Sequence, residues 1–466
     1  MYTFSNRLRT FSFVLMIVGL IGIAWGFMNA PSTVEEAKEM IANQSSHDTH
    51  GTDHEVAPTS HGEEDSHAKD DAHIETTGHE TATASHGGGH DAKHDEHVFH
   101  QLKNRPWSAI YVAIFFFMMI ALGTLAFYAI QHAAQAGWSI VLFRVMEAIT
   151  AYLPIGTVIL FLFLVLSGMH MNHVFAWMNP DLLDPAGDSY DKLLANKVSY
   201  LNVPWLLIRS AIYIGGWILY RWYARKQTLA QDDAPEGNVH YYKLVKASAM
   251  FLVFFLITES MMSWDWIMSI DHHWFSTLFG WYIFSGMIVS AITTIAIITI
   301  YLKSRGYLDF VNDSHLHDLA KFMFGFSIFW AYLWFSQFML IWYANIPEEV
   351  TYYVQRFDEY KFPFLGMIVL NFALPILILM NSDYKRLPWF IIMAGILVLI
   401  GHYIDIYIMI TPGSVGSNWS FFSPEVIGSA LFFLGLFIYI VFNALTKAPL
   451  LAKGNPFIKE SEQFHY

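Results

Sequence analysis

The chain has 466 residues, of which 55% are hydrophobic, 17% aromatic and only 14% charged, against roughly 25% charged in soluble globular domains, so an ordinary soluble domain is excluded and a membrane protein is indicated. The formal net charge of −13 comes largely from one acidic, histidine-dense segment, Glu35 to Glu96, and no basic patch suggests nucleic acid as a partner. Cysteine is absent, which excludes disulfides, Cys-based zinc sites, thiolate-ligated iron–sulfur clusters and covalently attached c-type haem within this chain.

A bilayer core takes about 20 apolar residues per helix. The first window that qualifies is Phe11–Asn29, preceded by Arg7 and Arg9. Its apolar run exceeds the 7–15 residues of a signal-peptide core, so an uncleaved anchor is expected. A long polar insertion follows, about Ser32 to Asn104, with twelve histidines between His47 and His100. Imidazoles suit metal buffering, but no ligand spacing recurs, and the composition reads as a solvated, mobile linker.

Nine further windows follow: Trp107–Ile130, Val141–Gly168, Val203–Trp222, Tyr242–Met262, Ser276–Leu302, Leu319–Tyr343, Phe362–Met380, Pro388–Tyr407 and Val426–Leu445. Basic residues test the count, because cytoplasmic loops are rich in Lys and Arg. With the N-terminus inside, Arg7, Arg9, Arg221, Arg225, Lys226, Lys303, Arg305, Lys385, Arg386, Lys447 and Lys453 all fall inside. The outside loops Asp265–Phe275 and Ile408–Glu425 hold none. The expected fold is all-α, with about ten transmembrane helices and both termini cytoplasmic. A repeated Ala-Tyr-Leu, at 151–153 and 331–333, hints at two related four-helix units, helices two to five and six to nine.

Ionisable residues inside spans are costly and mark function by default. Arg144 and Glu147 share a face near the cytoplasmic side of the third helix. Arg209 and Glu259 lie at matching depths near the outer side, which suggests an ion pair. His402 and Asp405 share a face of the ninth helix, with Gln337 at similar depth. His170 and His173 close the third helix outside. Arg144, Glu147, Arg209, Glu259, His402, Asp405 and Gln337 are read as proton-path candidates in two half-paths, with Glu147 and Glu259 as carriers and Tyr152, Ser336 or Asn371 between them. The bland reading is buried pairing that fixes helix register. Only His402 is clearly inside a span, so no transmembrane haem is expected, and no metal ligands are assigned.

The most specific stretch runs from Ser263 to Thr277, where Asp265, Asp271, His272 and His273 sit among Trp264, Trp266 and Trp274. Interfacial anchoring explains the tryptophans but not the aspartates and histidines. The second is Phe335-Ser336-Gln337, running on to Ile341-Trp342-Tyr343-Ala344-Asn345-Ile346-Pro347-Glu348-Glu349. Together these resemble the NrfD-like (PsrC-like) membrane subunits of bacterial alternative complex III, a quinol:electron-acceptor oxidoreductase. The resemblance covers about Trp107 to the C-terminus and is closest to the smaller of the complex's two homologous membrane subunits.

The resemblance implies two four-helix bundles with two flanking helices. The expected segments are 1–31 (anchor), 32–104 (periplasmic insertion), 105–275 and 276–410 (bundles), and 411–466 (last helix and tail). It also implies a bacterial inner-membrane location and a quinone, menaquinone or ubiquinone, as the molecule handled. Expected partners are a larger NrfD-like homologue, an iron–sulfur subunit, multihaem and monohaem cytochrome c subunits and a terminal oxidase. Haem c and the iron–sulfur clusters belong to those partners, and the outer-loop residues Asp265, Asp271, His272, His273, His170 and His173 become quinone or docking candidates. Two alternatives stay open: a scaffold and proton conduit without a quinone site, and an independent secondary transporter, for which Pro154 and Pro375 would mark broken helices.

Overall fold

The computed structural model describes residues 2–40, 87–187, 189–234 and 237–465. The described residues form helices and irregular connections, with no strand among them. Ten of these helices are long and apolar enough to cross a membrane: α1 Asn6–Met28, α2 Val98–Ala133, α3 Ile140–Gly168, α4 Val203–Asp233, α5 Val239–Ile270, α6 Phe279–Ser304, α7 Asp313–Ala344, α8 Lys361–Leu379, α9 Pro388–Val415 and α10 Pro424–Leu445. The chain is therefore a multi-pass membrane protein, as its composition requires.

Local chemistry sets the helix ends. Asn202 caps α4 by accepting from Trp205 N–H (3.0 Å), and Asn312 with His315 forms a capping box on α7. Asn345 ends α7 in the left-handed conformation (φ 49°). Pro347 then opens a short helix, Pro347–Asp358, which the search for long apolar windows does not find.

The chain divides into two compact units, Pro31–Lys103 and Met1–Ala30 with Asn104–Tyr466. In the smaller, Glu36 accepts from the backbone N–H and hydroxyl of Ser32 (2.8 and 2.9 Å), and Lys38 pairs with Asp95 (2.6 Å). Most of the expected histidine-rich linker, 41–86, lies outside the described residues. Its last part is not a loop: the helix that becomes α2 already begins at Gly87 and passes through Pro106.

In the larger unit, α2 and α6 are central, with 94% and 89% of their apolar windows buried. Tyr128 of α2 reaches Glu147 of α3 (3.0 Å), and Tyr111 of α2 reaches the Trp266 carbonyl of α5 (2.7 Å). Neighbouring pairs include α3 with α4, α4 with α5, α6 with α7, α7 with α8, α8 with α9, and α9 with α6; α5 also packs on α6, and α3 on α10 and α6. Helix α1 packs mainly on α10, through an interface of glycines, and its Phe27 also meets Trp107 of α2 (ring centroids 5.1 Å). A Cβ on Gly19 would lie 2.4 Å from Phe432 N, and one on Gly428 would lie 2.8 Å from the Gly19 carbonyl, the close approach that small residues permit between membrane helices.

Two helices are interrupted at prolines. In α3 a 3-10 turn, Thr150–Tyr152, precedes Pro154, and in α8 a π turn, Val369–Ala373, precedes Pro375. Proline lacks the N–H that would continue the ladder and crowds the carbonyl four residues earlier, so both helices change pitch there.

At one end Tyr2 meets Tyr307 (ring centroids 5.0 Å) and Asn312 Nδ2 donates to the Phe464 carbonyl (2.6 Å); this is called the terminal end. At the far end Lys197 Nζ donates to the His272 carbonyl (2.7 Å), Trp274 stacks on Tyr352 (3.8 Å), and Trp419 Nε1 donates to the Glu359 carbonyl (3.0 Å).

Candidate functional site

Titratable groups in the larger unit gather into four clusters. The first lies towards the terminal end. Arg144 Nη1 donates to Glu147 Oε2 (2.7 Å), as expected from their spacing. Glu147 also pairs with Arg225 and accepts from Tyr128, while Arg144 also pairs with Asp232. Arg144 and Glu147 are buried. Arg225 and Asp232, unremarked in sequence or taken as loop charges, belong here because α4 runs on to Asp233.

The second cluster corrects the expected Arg209–Glu259 pair. Arg209 instead grips Asp265 with two bonds, Nε to Oδ2 and Nη2 to Oδ1 (both 2.8 Å). Tyr213 also donates to Asp265 Oδ2 (2.9 Å), and the guanidinium lies over the Tyr200 ring (4.0 Å). Asp265 is not a loop residue: the regular helix continues to Trp266, and the carboxylate is fully buried. Glu259 is buried with no basic partner among the described residues. Its Oε1 is unbonded and its Oε2 reaches only Ser260 Oγ, at 3.5 Å.

The third cluster surrounds Asp405. Trp330 Nε1 donates to Asp405 Oδ2 (2.9 Å), Tyr282 donates to Oδ1, and His402 Nδ1 lies 3.3 Å from Oδ2. A proton on Nδ1, bonded to the carboxylate, leaves His402 Nε2 as an acceptor; Nε2 is buried and unpartnered. Asn371, in the π turn of α8, places its Nδ2 3.5 Å from His402 Nδ1, a contact and not a hydrogen bond when Nδ1 carries the proton, and its Oδ1 lacks a partner. Gly401 makes room for it, since a Cβ there would lie 2.1 Å from that Oδ1. Gln337, two turns beyond Trp330 on α7, is buried with Oε1 unpartnered. Of the expected middle groups, Tyr152 is buried with no partner for its hydroxyl, and Ser336 is half-buried.

The fourth cluster is at the far end. His272 Nε2 and His273 Nε2 both face Asp191 Oδ2, at 3.2 and 3.0 Å, and the three ligand atoms lie within 4.8 Å of one another. The donor set suits a metal ion, and equally a proton shared between imidazole and carboxylate. Burial presses the Asp191 carboxyl upward, but the Leu194 N–H, His273 and His272 outweigh it and hold the group below its ordinary value. Burial, then the neighbouring His273, lower the His272 imidazole against the pull of Asp191. Asp271 is half-buried nearby, His170 is exposed (φ 58°), and His173 donates its N–H to Asn104 (3.0 Å). Both histidines follow the end of α3 at Gly168 instead of closing it.

Two of the three tryptophans of this stretch are packed inside the protein, while Trp264 is half-buried. Trp266 and Trp274 are buried, and Trp266 Nε1 donates to Ser210 (2.8 Å). Sequence reading also missed Arg356, which is 1% exposed, lies over the Tyr352 ring (3.3 Å) and donates to its carbonyl (2.7 Å). A lone arginine in a polar twelve-residue helix gives no sequence signal of burial. Compared with known proteins, the chain matches no family model and no curated protein.

Proposed function

We propose that this chain is a membrane subunit of a respiratory quinol:electron-acceptor oxidoreductase of the alternative complex III type, NrfD-like and closest to the smaller homologue. It would lie in a bacterial inner membrane, with the terminal end cytoplasmic and the far end periplasmic. Helices α2–α5 and α6–α9 would be its two four-helix bundles, flanked by α1 and α10. The neighbour pairs support this reading, since each set of four closes on itself through Tyr111–Trp266 in one case and α9–α6 in the other.

The observation that carries the proposal is the placement of buried titratable groups in separate clusters towards the two ends, without a cysteine to hold a redox centre. Electrons would therefore travel through haem c and iron–sulfur partners. This chain would supply proton steps and contacts to the quinol. A quinol has two hydroxyls to donate, and His402 Nε2, Asn371 Oδ1 and Gln337 Oε1 are buried acceptors without partners. On this reading His402 takes a quinol proton, and Asp405 holds the imidazole tautomer that can accept it.

Gentle purification through a tag on this chain tests the reading. Recovery of haem-bearing partners with quinol oxidation is expected, with His402→Ala lowering turnover about a hundredfold if the imidazole is the base. A pure, haem-free chain that moves a solute across vesicles would favour a secondary transporter instead, a reading to which the interrupted α3 and α8 also lend themselves.

A further inference from the structure

Beside the first cluster is a cavity of about 280 Å³ between α3, α4 and the chain that follows α10. Its charge is unbalanced. Arg144, Arg221, Arg225 and Lys447 line it, with Glu147 as the one lining carboxylate. Glu147 is shared by Arg144 and Arg225, and Asp232 is taken by Arg144. Arg221 and Lys447 make no side-chain bond or ion pair with the described residues, and Arg221 Nε is buried without a partner.

The half-buried Arg221 and the exposed Lys447 leave the cavity with an excess of positive charge that favours an anion. The surroundings specify what carries it. Trp222, next to Arg221, is exposed, with Lys226 Nζ 5.2 Å from its ring centroid, an arrangement suited to the membrane–water boundary. The α3 face that lines the cavity at Ala151 continues as Ile155, Val158 and Leu162, all exposed apolar residues. A ligand with an anionic head and hydrocarbon tails satisfies both surfaces at once.

We propose that this cavity binds the phosphate group of an anionic phospholipid, with Arg221 and Lys447 as its main contacts and the acyl chains along the outer face of α3. Arg144 and Arg225 stay committed to Glu147 and strengthen the local field. The inference needs only that the chain crosses a membrane; it does not depend on quinol chemistry.

The test is native mass spectrometry of the intact, delipidated protein titrated with phosphatidylglycerol, phosphatidylcholine or inorganic phosphate. Juxtamembrane cations contribute about 1 kcal/mol each towards an anionic lipid, so two correspond to about thirtyfold in affinity. Wild-type protein should prefer phosphatidylglycerol over phosphatidylcholine by about that factor, and Arg221→Gln with Lys447→Gln should abolish the preference. Lys447→Gln alone, at an exposed position, should lose about fivefold and keeps the test open if the double variant does not fold. Equal binding of the two lipids by wild type, or an unchanged preference in a folded variant, overturns the proposal. Inorganic phosphate binding as tightly as phosphatidylglycerol would overturn the lipid assignment in favour of a free-anion site.

Discussion

At the scale of single residues, the Arg209–Asp265 pair states most plainly what the membrane interior demands. Both side chains are largely or wholly removed from solvent, at 12% and 0% exposure, and the bidentate geometry offsets the cost of burying two charges. Removing one partner strands the other, at a cost of about 3–5 kcal/mol. Asp265→Asn should therefore lower the thermal unfolding temperature strongly in detergent. Replacing both by apolar residues, Arg209→Met with Asp265→Leu, should recover much of the loss. An unchanged melting temperature in Asp265→Asn would reduce the pair to a minor contact. Matching depths paired Arg209 with Glu259 because the apolar window ends at Met262; the helix runs one turn further, to Trp266, and brings a nearer carboxylate into reach. The Asp191–His272 contact makes a second residue-scale prediction. Both groups have lowered folded values, so the unfolded chain binds more protons, and their stabilisation is lost as the pH falls. For His272 the contribution is complete above its ordinary 6.5 and is lost as pH drops below that. Asp191 adds its own loss further into the acid range. Protection factors for amide exchange in residues 268–275, corrected for the intrinsic pH dependence of exchange, should be lower at pH 5 than at pH 7.5, and His272→Gln should flatten the upper part of that change.

At the scale of elements, hydropathy located all ten candidate spans among the described residues because each crossing must be apolar for its full length. It was blind to what polar sequence does at the ends. Helix α2 starts in histidine-rich sequence, and the helix Pro347–Asp358 buries Tyr352, Tyr353 and Arg356 without an apolar run. The contact of α1 with α10 shows a further limit. Helix α1 is apolar all round, and in lipid that gives no direction; its glycines alone mark the face that packs. Gly428→Leu should force α1 away and lower the melting temperature. Gly325→Leu, where an added Cβ meets nothing within 4 Å, should leave it unchanged or slightly higher. Equal effects of the two would show that the glycine contact does not hold α1. The repeated Ala-Tyr-Leu has no equivalent surroundings, since Tyr152 is fully buried and Tyr332 is 63% exposed. It is therefore weak ground for an internal repeat.

At the scale of the whole molecule, the clusters at the two ends have to be connected if protons are to cross. The expected middle groups do this poorly: Asn371 belongs to the Asp405 cluster, and the Tyr152 hydroxyl meets no partner. Helix α6 offers a different route, which sequence reading passed over because serine and threonine are unremarkable in an apolar span. Tyr282, near its far-end start, donates to Asp405. Further along, Ser290, Thr293 and Thr299 are buried with hydroxyls that bond to no described residue. Such hydroxyls in membrane helices commonly bond their own backbone, as Thr294 does to the Ser290 carbonyl (2.8 Å). Three that do not, on one central helix leading towards the terminal end, are groups that can relay a proton through intervening water. Thr293→Val with Thr299→Val keeps shape and removes both hydroxyls, so packing should be little disturbed. In proteoliposomes holding the complex proposed above, this variant should lose proton translocation while keeping most electron transfer, and Glu147→Gln and Glu259→Gln should do the same from either end. If Thr293→Val with Thr299→Val translocates normally while Glu147→Gln does not, the path leaves α6 and must run beside α3. If all of them translocate normally, the buried charges fix helix packing and carry no protons.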